Sequence, residues 1–335
     1  MRRVALPSIP ALARAAFCAA AAFAVLPAIA QEKFTFLTSW YAQAEHGGYY
    51  QAQASGLYKA AGLDVTIKMG GPQVNAIQIL AAGQADCIMG SSDPQILKAR
   101  EQGVPIVNVA AIFQKDPQGL VAHPHVKRLE DVKGRTVMIG TAARSTYWPW
   151  LRVTYGFTDE QTRPYAYSLQ PFMADKELVV QGYATYDPYA MKQAGAEANF
   201  FLFADHGWPA YANTVACLEK TITERPQVLG AFLKASLEGW KSYMGGADRS
   251  AAQALIKKGN QQMSDGQMEF AFGAMKQRSM VTGGDAAQAG IGALSPERLK
   301  RTYDFMVAQK LLDPSKVELA RSYDLRFLSA AKVLP

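Results

Sequence analysis

The chain has 335 residues, 49% of them hydrophobic and 19% charged, enough apolar material for two domains of ordinary size or one large one. Its formal charge of +7 includes no run of Lys/Arg interleaved with aromatics, so nucleic-acid binding has little support. Past the N-terminus no apolar run reaches the length of a membrane-spanning helix.

Residues 1–30 read as a targeting segment. Arg2, Arg3 and Arg14 lie in an acid-free start, an apolar run covers Ala15–Leu26, and Ala28-Ile29-Ala30 precedes Gln31. That order is the charged region, short apolar region and A-x-A site of a signal peptide cleaved after Ala30. The run is 12 residues long, and crossing a bilayer takes roughly 20. Phe17 before Cys18 is too bulky for a lipoprotein site, so an untethered product is expected. Cleavage removes three arginines and no acid, taking the net charge from +7 to +4. Cys87 and Cys217 remain, without a CxxC or a His-rich ligand set. Two cysteines make no disulfide framework, and Cys87, in an apolar strand-like run, is expected to be a small buried thiol.

From Lys33 to Gln114 the pattern alternates strand and helix. Strands are predicted at Lys33–Thr38, Asp64–Met69, Asp86–Met89 and Val104–Phe113. Helices are predicted at Gly47–Ala61, Val74–Ala82 and Pro94–Gln102, the last with Asp93 as N-cap. Such an order implies a mostly parallel sheet. A second α/β region follows. It holds a short helix at Leu129–Lys133, a strand at Arg135–Ile139, a helix at Tyr147–Tyr155, a helix at Lys176–Gln181 closed by Gly182, and strands at Tyr183–Tyr186 and Phe200–Phe203. Beyond Ala212–Leu218 the chain turns helical: Pro226–Tyr243, Ser250–Lys258, Asp265–Arg278 and Pro296–Gln309. The segment I-Q-I-L-A-A-G-Q-A-D at residues 77–86 is echoed by K-E-L-V-V-Q-G-Y-A-T at residues 176–185, which suggests two lobes built to one plan. The expected division is lobe I at 31–120 plus 215–335 and lobe II at 121–214, with two crossing strands as a hinge.

In open parallel sheets ligands sit beyond the carboxyl ends of strands, and clefts between domains are favoured sites. The residues that follow the predicted strands are therefore the candidates. Trp40, Tyr147, Trp148 and Tyr186 can stack on a flat ring, although one of Trp148 and Trp150 is expected to face the core and Trp40 could equally pack the lobes. Gln73, Asn75, Ser91, Ser92, Gln114 and Thr146 can exchange hydrogen bonds with ring nitrogens and exocyclic groups. Asp187 can accept from an amino group, or with Pro188 simply open a helix. His46, before Gly47-Gly48, can face the ligand or cap a helix. There is no G-x-S-x-G, no phosphate-binding glycine fingerprint and no metal-ligand spacing of histidines.

Trp40-x5-His46-Gly47-Gly48-Tyr49-Tyr50, Gly56-Leu57-Tyr58, Gly62-Leu63-Asp64-Val65, Leu80-x-x-Gly83-x-x-Asp86 and Phe113-Gln114-Lys115-Asp116-Pro117 carry a resemblance that extends over most of the mature chain. They resemble the periplasmic binding proteins related to thiamine-pyrimidine synthase, within a wider class that takes nitrate, sulfonates and taurine. The resemblance implies a type II periplasmic-binding fold of two α/β lobes with a hinge and a helical C-terminal region. It also implies a periplasmic location, a pyrimidine-like small-molecule solute, an ABC permease and ATPase as partners, and hinge closure. A monomer without cofactor or catalytic residue is expected. The same fold binding a sulfonate, taurine or nitrate is one alternative. The other is a synthase-like enzyme using iron and pyridoxal phosphate. The chain lacks that branch's cysteine-rich motif and has no lysine between Lys33 and Lys59.

Overall fold

The computed structural model describes residues 31–335, so the expected signal peptide lies outside the described residues. Among them, ten strands form two five-stranded sheets. The first four are β1 (Glu32–Leu37), β2 (Leu63–Lys68), β3 (Cys87–Ser92) and β4 (Ile106–Phe113). The next five are β5 (Gln118–Ala122), β6 (Val137–Ile139), β7 (Thr162–Pro164), β8 (Val179–Tyr183) and β9 (Asn199–Leu202). The chain then returns as β10 (Ala212–Leu218). The sheet orders are β2-β1-β3-β10-β4 and β7-β6-β8-β5-β9, which is one plan used twice.

In each sheet four strands run parallel and one runs against them. β10 is antiparallel to β3 and β4, and β5 is antiparallel to β8 and β9. Those two are the strands that arrive from the other sheet. A chain leaving β4 at its carboxyl end and entering β5 at its amino end stays on the same side of both sheets. The carboxyl ends of the eight parallel strands therefore face one crevice, together with the starts of β5 and β10.

All eight residues of β4 are buried, from Ile106 to Phe113, as expected of a strand covered on both faces. It is also an outer strand of its sheet. Its open edge is covered by the C-terminal region: Asn108 N donates to Ser322 O (2.9 Å), Asp324 N to Asn108 O (2.8 Å) and Ala111 N to Gly292 O (2.8 Å). Covering protects an edge from pairing with another chain.

The helices Gly47–Ala54 and Pro226–Met244 cross at very short range. A Cβ at Gly48 would lie 2.2 Å from the Trp240 indole, one at Gly47 2.2 Å from the Tyr243 ring, and one at Gly239 2.3 Å from Gly48 O. The glycine pair after His46 thus serves helix packing. Phe34, Phe36 and Tyr58 gather around Phe232 of the same long helix at 4.2, 5.2 and 5.6 Å between ring centres.

Several predicted elements differ in the structure. Lys176–Gln181 is no helix: Val179 and Val180 are buried β-branched residues within β8, and Tyr183 ends that strand rather than beginning one. Gly182 lies opposite Gly119 of β5, where a Cβ would meet Val121 at 2.6 Å. Gly83, at φ 70°, does close the helix Ala76–Ala81, so the two halves of the sequence echo fold differently. The helix at 47–61 breaks at Gly56 (φ 73°) into Gly47–Ala54 and Leu57–Ala60. Asp93 is no cap but the first residue of the helix Asp93–Glu101, and its Oδ1 accepts from Tyr211 N at 2.8 Å.

Cys87 is not a free thiol. It faces Cys217 directly across the β3–β10 ladder, Cα atoms 4.3 Å apart, and the two form a disulfide across a sequence separation of 130, closing a loop that includes all of the second sheet. Closing a loop of that size restricts the unfolded chain by several kcal/mol in the chain-entropy account, about 4–5 for ~100 residues. A Cys87→Ser, Cys217→Ser double variant is expected to unfold at lower urea and with a steeper slope, since its unfolded chain is less compact, losing about 2–5 kcal/mol. Equal midpoints with and without the bridge would show that the closed loop contributes nothing.

Candidate functional site

The crevice between the sheets is built from the segments that follow the strand ends. Trp40 lies just beyond β1 and Tyr167 just beyond β7. Their rings meet across the crevice at 5.8 Å, with Tyr41 edge-on to Trp40 at 5.7 Å and Tyr165 at 5.2 Å from Tyr167. Tyr167 holds φ 56°, a left-handed backbone rare for an aromatic residue. Its hydroxyl would be 2.7 Å from a Cβ at Gly140, the residue after β6, so a side chain there would push it aside. Tyr41, Tyr167 and Tyr186 are about half exposed and rim the opening.

Deeper in, Glu45 of the first lobe accepts a hydrogen bond from Thr185 of the second. Gln267, on the helix Asp265–Gln277, donates to Thr185 O at 2.8 Å, and Asn213 at the start of β10 donates to Glu45 O at 3.4 Å. Glu45 is 3% exposed, and burial pushes its carboxyl from 4.5 up to about 7. Asp187 is also buried; its Oδ2 accepts from Tyr183 N at 2.6 Å, and burial raises it to about 6. The two carboxylates repel one another, which raises Glu45 further. His46, beside Glu45, is fully buried, and neither ring nitrogen has a partner. Burial holds its imidazole neutral, down to about 3. A buried polar group without a partner costs about 1–3 kcal/mol, and such groups need a reason to persist.

The twelve residues named from the sequence are placed unequally. Trp40, Tyr186 and Asp187 gather at the crevice around Tyr165, Tyr167 and Glu45, from both lobes, and His46 is buried next to Glu45 in the chain. Ser91 and Ser92 end β3, and Ser91 N donates to Gln95 Oε1 at 2.8 Å. Tyr147 is buried with its hydroxyl donating to Gln181 Oε1 at 3.0 Å. Thr146 Oγ1 donates to Ala142 O at 2.9 Å, within its own turn. Gln114 is buried where the chain leaves β4, its Nε2 donating to Ala111 O and Ala293 O at 2.9 and 3.0 Å. Asn75 caps the helix Ala76–Ala81 by accepting from Gln78 N, and Gln73 is exposed before it. Trp148 is away from the crevice. Its ring is 1% exposed in the second lobe's core, 5.8 Å from Phe157, and its indole N–H donates to Asp159 at 2.9 Å.

Glu45, Tyr165, Tyr167 and Thr185 were not singled out from the sequence. Tyr165 and Tyr167 follow a strand of three residues that ends in Pro164 and has no strand signature. Glu45 and Thr185 are brought together only by the packing of the two lobes.

Two outcomes follow from this geometry. Trp148→Ala is expected to cost about 3–5 kcal/mol of stability, as for a buried aromatic, measured by urea unfolding. For Glu45 the folded state holds a proton that the unfolded state lacks between about pH 4.5 and 7, so this group's contribution to stability falls as pH rises through that window. His46 acts in the opposite sense: between about 3 and 6.5 only the unfolded state binds its proton, so its contribution rises with pH. Glu45→Gln removes the first effect alone. Its stability relative to the parent chain is expected to improve by on the order of 2–3 kcal/mol between pH 5 and 7.5, read from urea midpoints. A difference that does not change with pH would mean that Glu45 is not shifted by its burial.

Residues 43–250 match the family model described as NMT1/THI5 like. The riboflavin-binding protein RibY of Chloroflexus aurantiacus is 26% identical over 308 residues, covering 89% of this chain and 86% of that one. The formylaminopyrimidine-binding protein of Halalkalibacterium halodurans is 25% identical over 220 residues, covering 63% and 66%. Among solved structures, the periplasmic aliphatic sulphonate binding protein SsuA from Escherichia coli superposes with a TM-score of 0.65 at 13% identity, covering 87% of this chain and 91% of that one. That likeness, with the paired sheets, gives the fold as that of the periplasmic binding proteins. By the match over the greater part of its length, the chain belongs to the NMT1/THI5-like family.

Proposed function

We propose that this chain is the solute-binding component of an ABC importer, and that its two lobes close on a small, flat, nitrogen-bearing heteroaromatic molecule in the crevice. The observation that carries the reading is the pairing of aromatic surface on both walls, Trp40 and Tyr167, with the buried acceptors Glu45 and Asp187 beside an unpartnered His46. Rings stack on aromatic faces, carboxylates accept from amino and ring N–H groups, and a neutral imidazole can donate or accept. The relatives named for riboflavin and formylaminopyrimidine bind molecules of this kind.

An anionic solute suits these groups poorly. A sulfonate or nitrate calls for Arg or Lys aimed at it. Lys115 pairs with Asp205 at 2.9 Å and Arg144 donates to Thr162 at 2.9 Å. The same carboxylates fit poorly around the phosphate of pyridoxal phosphate, and residues 34–58 contain no lysine to hold its aldehyde. The chain is therefore read as a binder, with no catalytic role for His46. Delivery to a membrane permease with its ATPase, a periplasmic location and a monomeric state complete the proposal. The Cys87–Cys217 bridge suits an oxidising compartment.

Calorimetric titration of the chain from Gln31 onward tests this. Riboflavin or formylaminopyrimidine is expected to give saturable one-to-one heat, and taurine and nitrate none. Trp40→Ala and Tyr167→Ala should each raise Kd about two- to tenfold, the range for one aromatic contact. Saturable binding of taurine or nitrate, with both variants at parent affinity, would replace the heteroaromatic reading.

A further inference from the structure

The chain passes between the lobes twice, at residues 114–117 after β4 and at residues 203–211 before β10. Two side-chain links join these connectors: Lys115 to Asp205 at 2.9 Å, and Trp208 Nε1 donating to Asp116 Oδ2 at 3.0 Å. The first is exposed, and such pairs contribute little.

A third link comes from outside both connectors and reaches their backbones. Arg298 lies in the first turn of the helix Pro296–Ala308, which Ser295 caps by accepting from Arg298 N. Its Nε donates to Pro209 O at 2.5 Å, and its Nη2 donates to Gln114 O at 2.6 Å and Ala210 O at 3.0 Å. Nη1 lies 3.5 Å from Asp285 Oδ2, and the guanidinium stacks 3.9 Å over the ring of Tyr211. Tyr211 is itself fixed. Its N–H donates to Asp93, its hydroxyl donates to Asp285, and Ser295 N donates to that hydroxyl at 2.9 Å. One planar fork with five donors thus holds three carbonyls on two separate stretches of chain. A lysine, with a single ammonium on a flexible stem, cannot reproduce that arrangement.

Hinge closure concentrates its rotation in a few residues of the connecting segments. Where the two segments are tied at one point, they turn about one axis instead of flexing separately. We propose that Arg298 is the pivot of lobe closure. It is a positioning residue that touches no solute, binds the two connectors into a single axis and sets the balance between open and closed forms. Its consequence for solute binding rests on the crevice reading above; the pivot itself does not.

The test uses Arg298→Gln and Arg298→Lys in the whole mature chain. Ligand-free protein is followed by small-angle scattering and amide exchange, and riboflavin release by stopped-flow fluorescence. The expected result is exchange at least tenfold faster at residues 114–118 and 205–212, with parent rates in β1–β3 and β6–β8. The radius of gyration should shift, and riboflavin release should change at least threefold. Should the glutamine variant fail to fold, the lysine variant, which keeps the stem and the charge, carries the same comparison. Parent exchange in the connectors with a parent radius overturns the proposal. So does faster exchange throughout both sheets, the mark of a general stability role. If the parent chain binds neither riboflavin nor formylaminopyrimidine, it is the proposed solute class that fails, and the scattering and exchange still decide the pivot.

Discussion

Each sheet is completed by a strand that runs against its four neighbours, and in both cases that strand is the one arriving from the other lobe. This is the constraint on which the molecule depends. Neither sheet can be finished without the crossing, since β10 sits between β3 and β4 and β5 sits between β8 and β9. Because the crossings leave and enter on the same side, every parallel strand ends at the crevice. The short segments that follow these strands become its walls, and the walls belong to bodies joined by two connectors. The disulfide between β3 and β10 fastens the return crossing into the first sheet.

The crevice sits over a region where polar groups are buried at close quarters. Gly47, Gly48 and Gly239 allow two helices to approach until ring and backbone are in contact, and this approach carries Glu45 and His46 out of water. The result is a carboxyl raised to about 7 with Thr185 donating to it, beside an imidazole held uncharged and without a hydrogen-bond partner. Aromatic residues occupy the rim and acceptors the floor.

Much of the architecture was legible in local pattern. The alternation of helix and strand through Gln114, the long helices after Pro226 and the loops that follow most strands all appear near their expected places, because amphipathic spacing and terminating glycines are properties of the segment itself. Where the reading failed, the deciding contact was distant. Lys176–Gln181 has helical spacing, yet Val179 and Val180 are drawn between β5 and β6, and Gly182 faces Gly119 instead of capping a helix. Trp148 follows a strand just as Trp40 does, but its helix turns it into the lobe core.

The sequence by itself determined the α/β class of fold, the helix–strand alternation through Gln114, the helical run after Pro226 and the aromatic, weakly basic character of the strand-following loops. Periodicity, composition and turn chemistry act over a few residues, so a linear reading captures them. Only the tertiary structure decided which of those residues meet. Glu45 with Thr185, Trp40 with Tyr167, Cys87 with Cys217, and Arg298 with Gln114 and Pro209 are each separated by about 90 residues or more of chain. Their encounters are set by how two sheets share strands and how helices pack upon them, and no local signal encodes that.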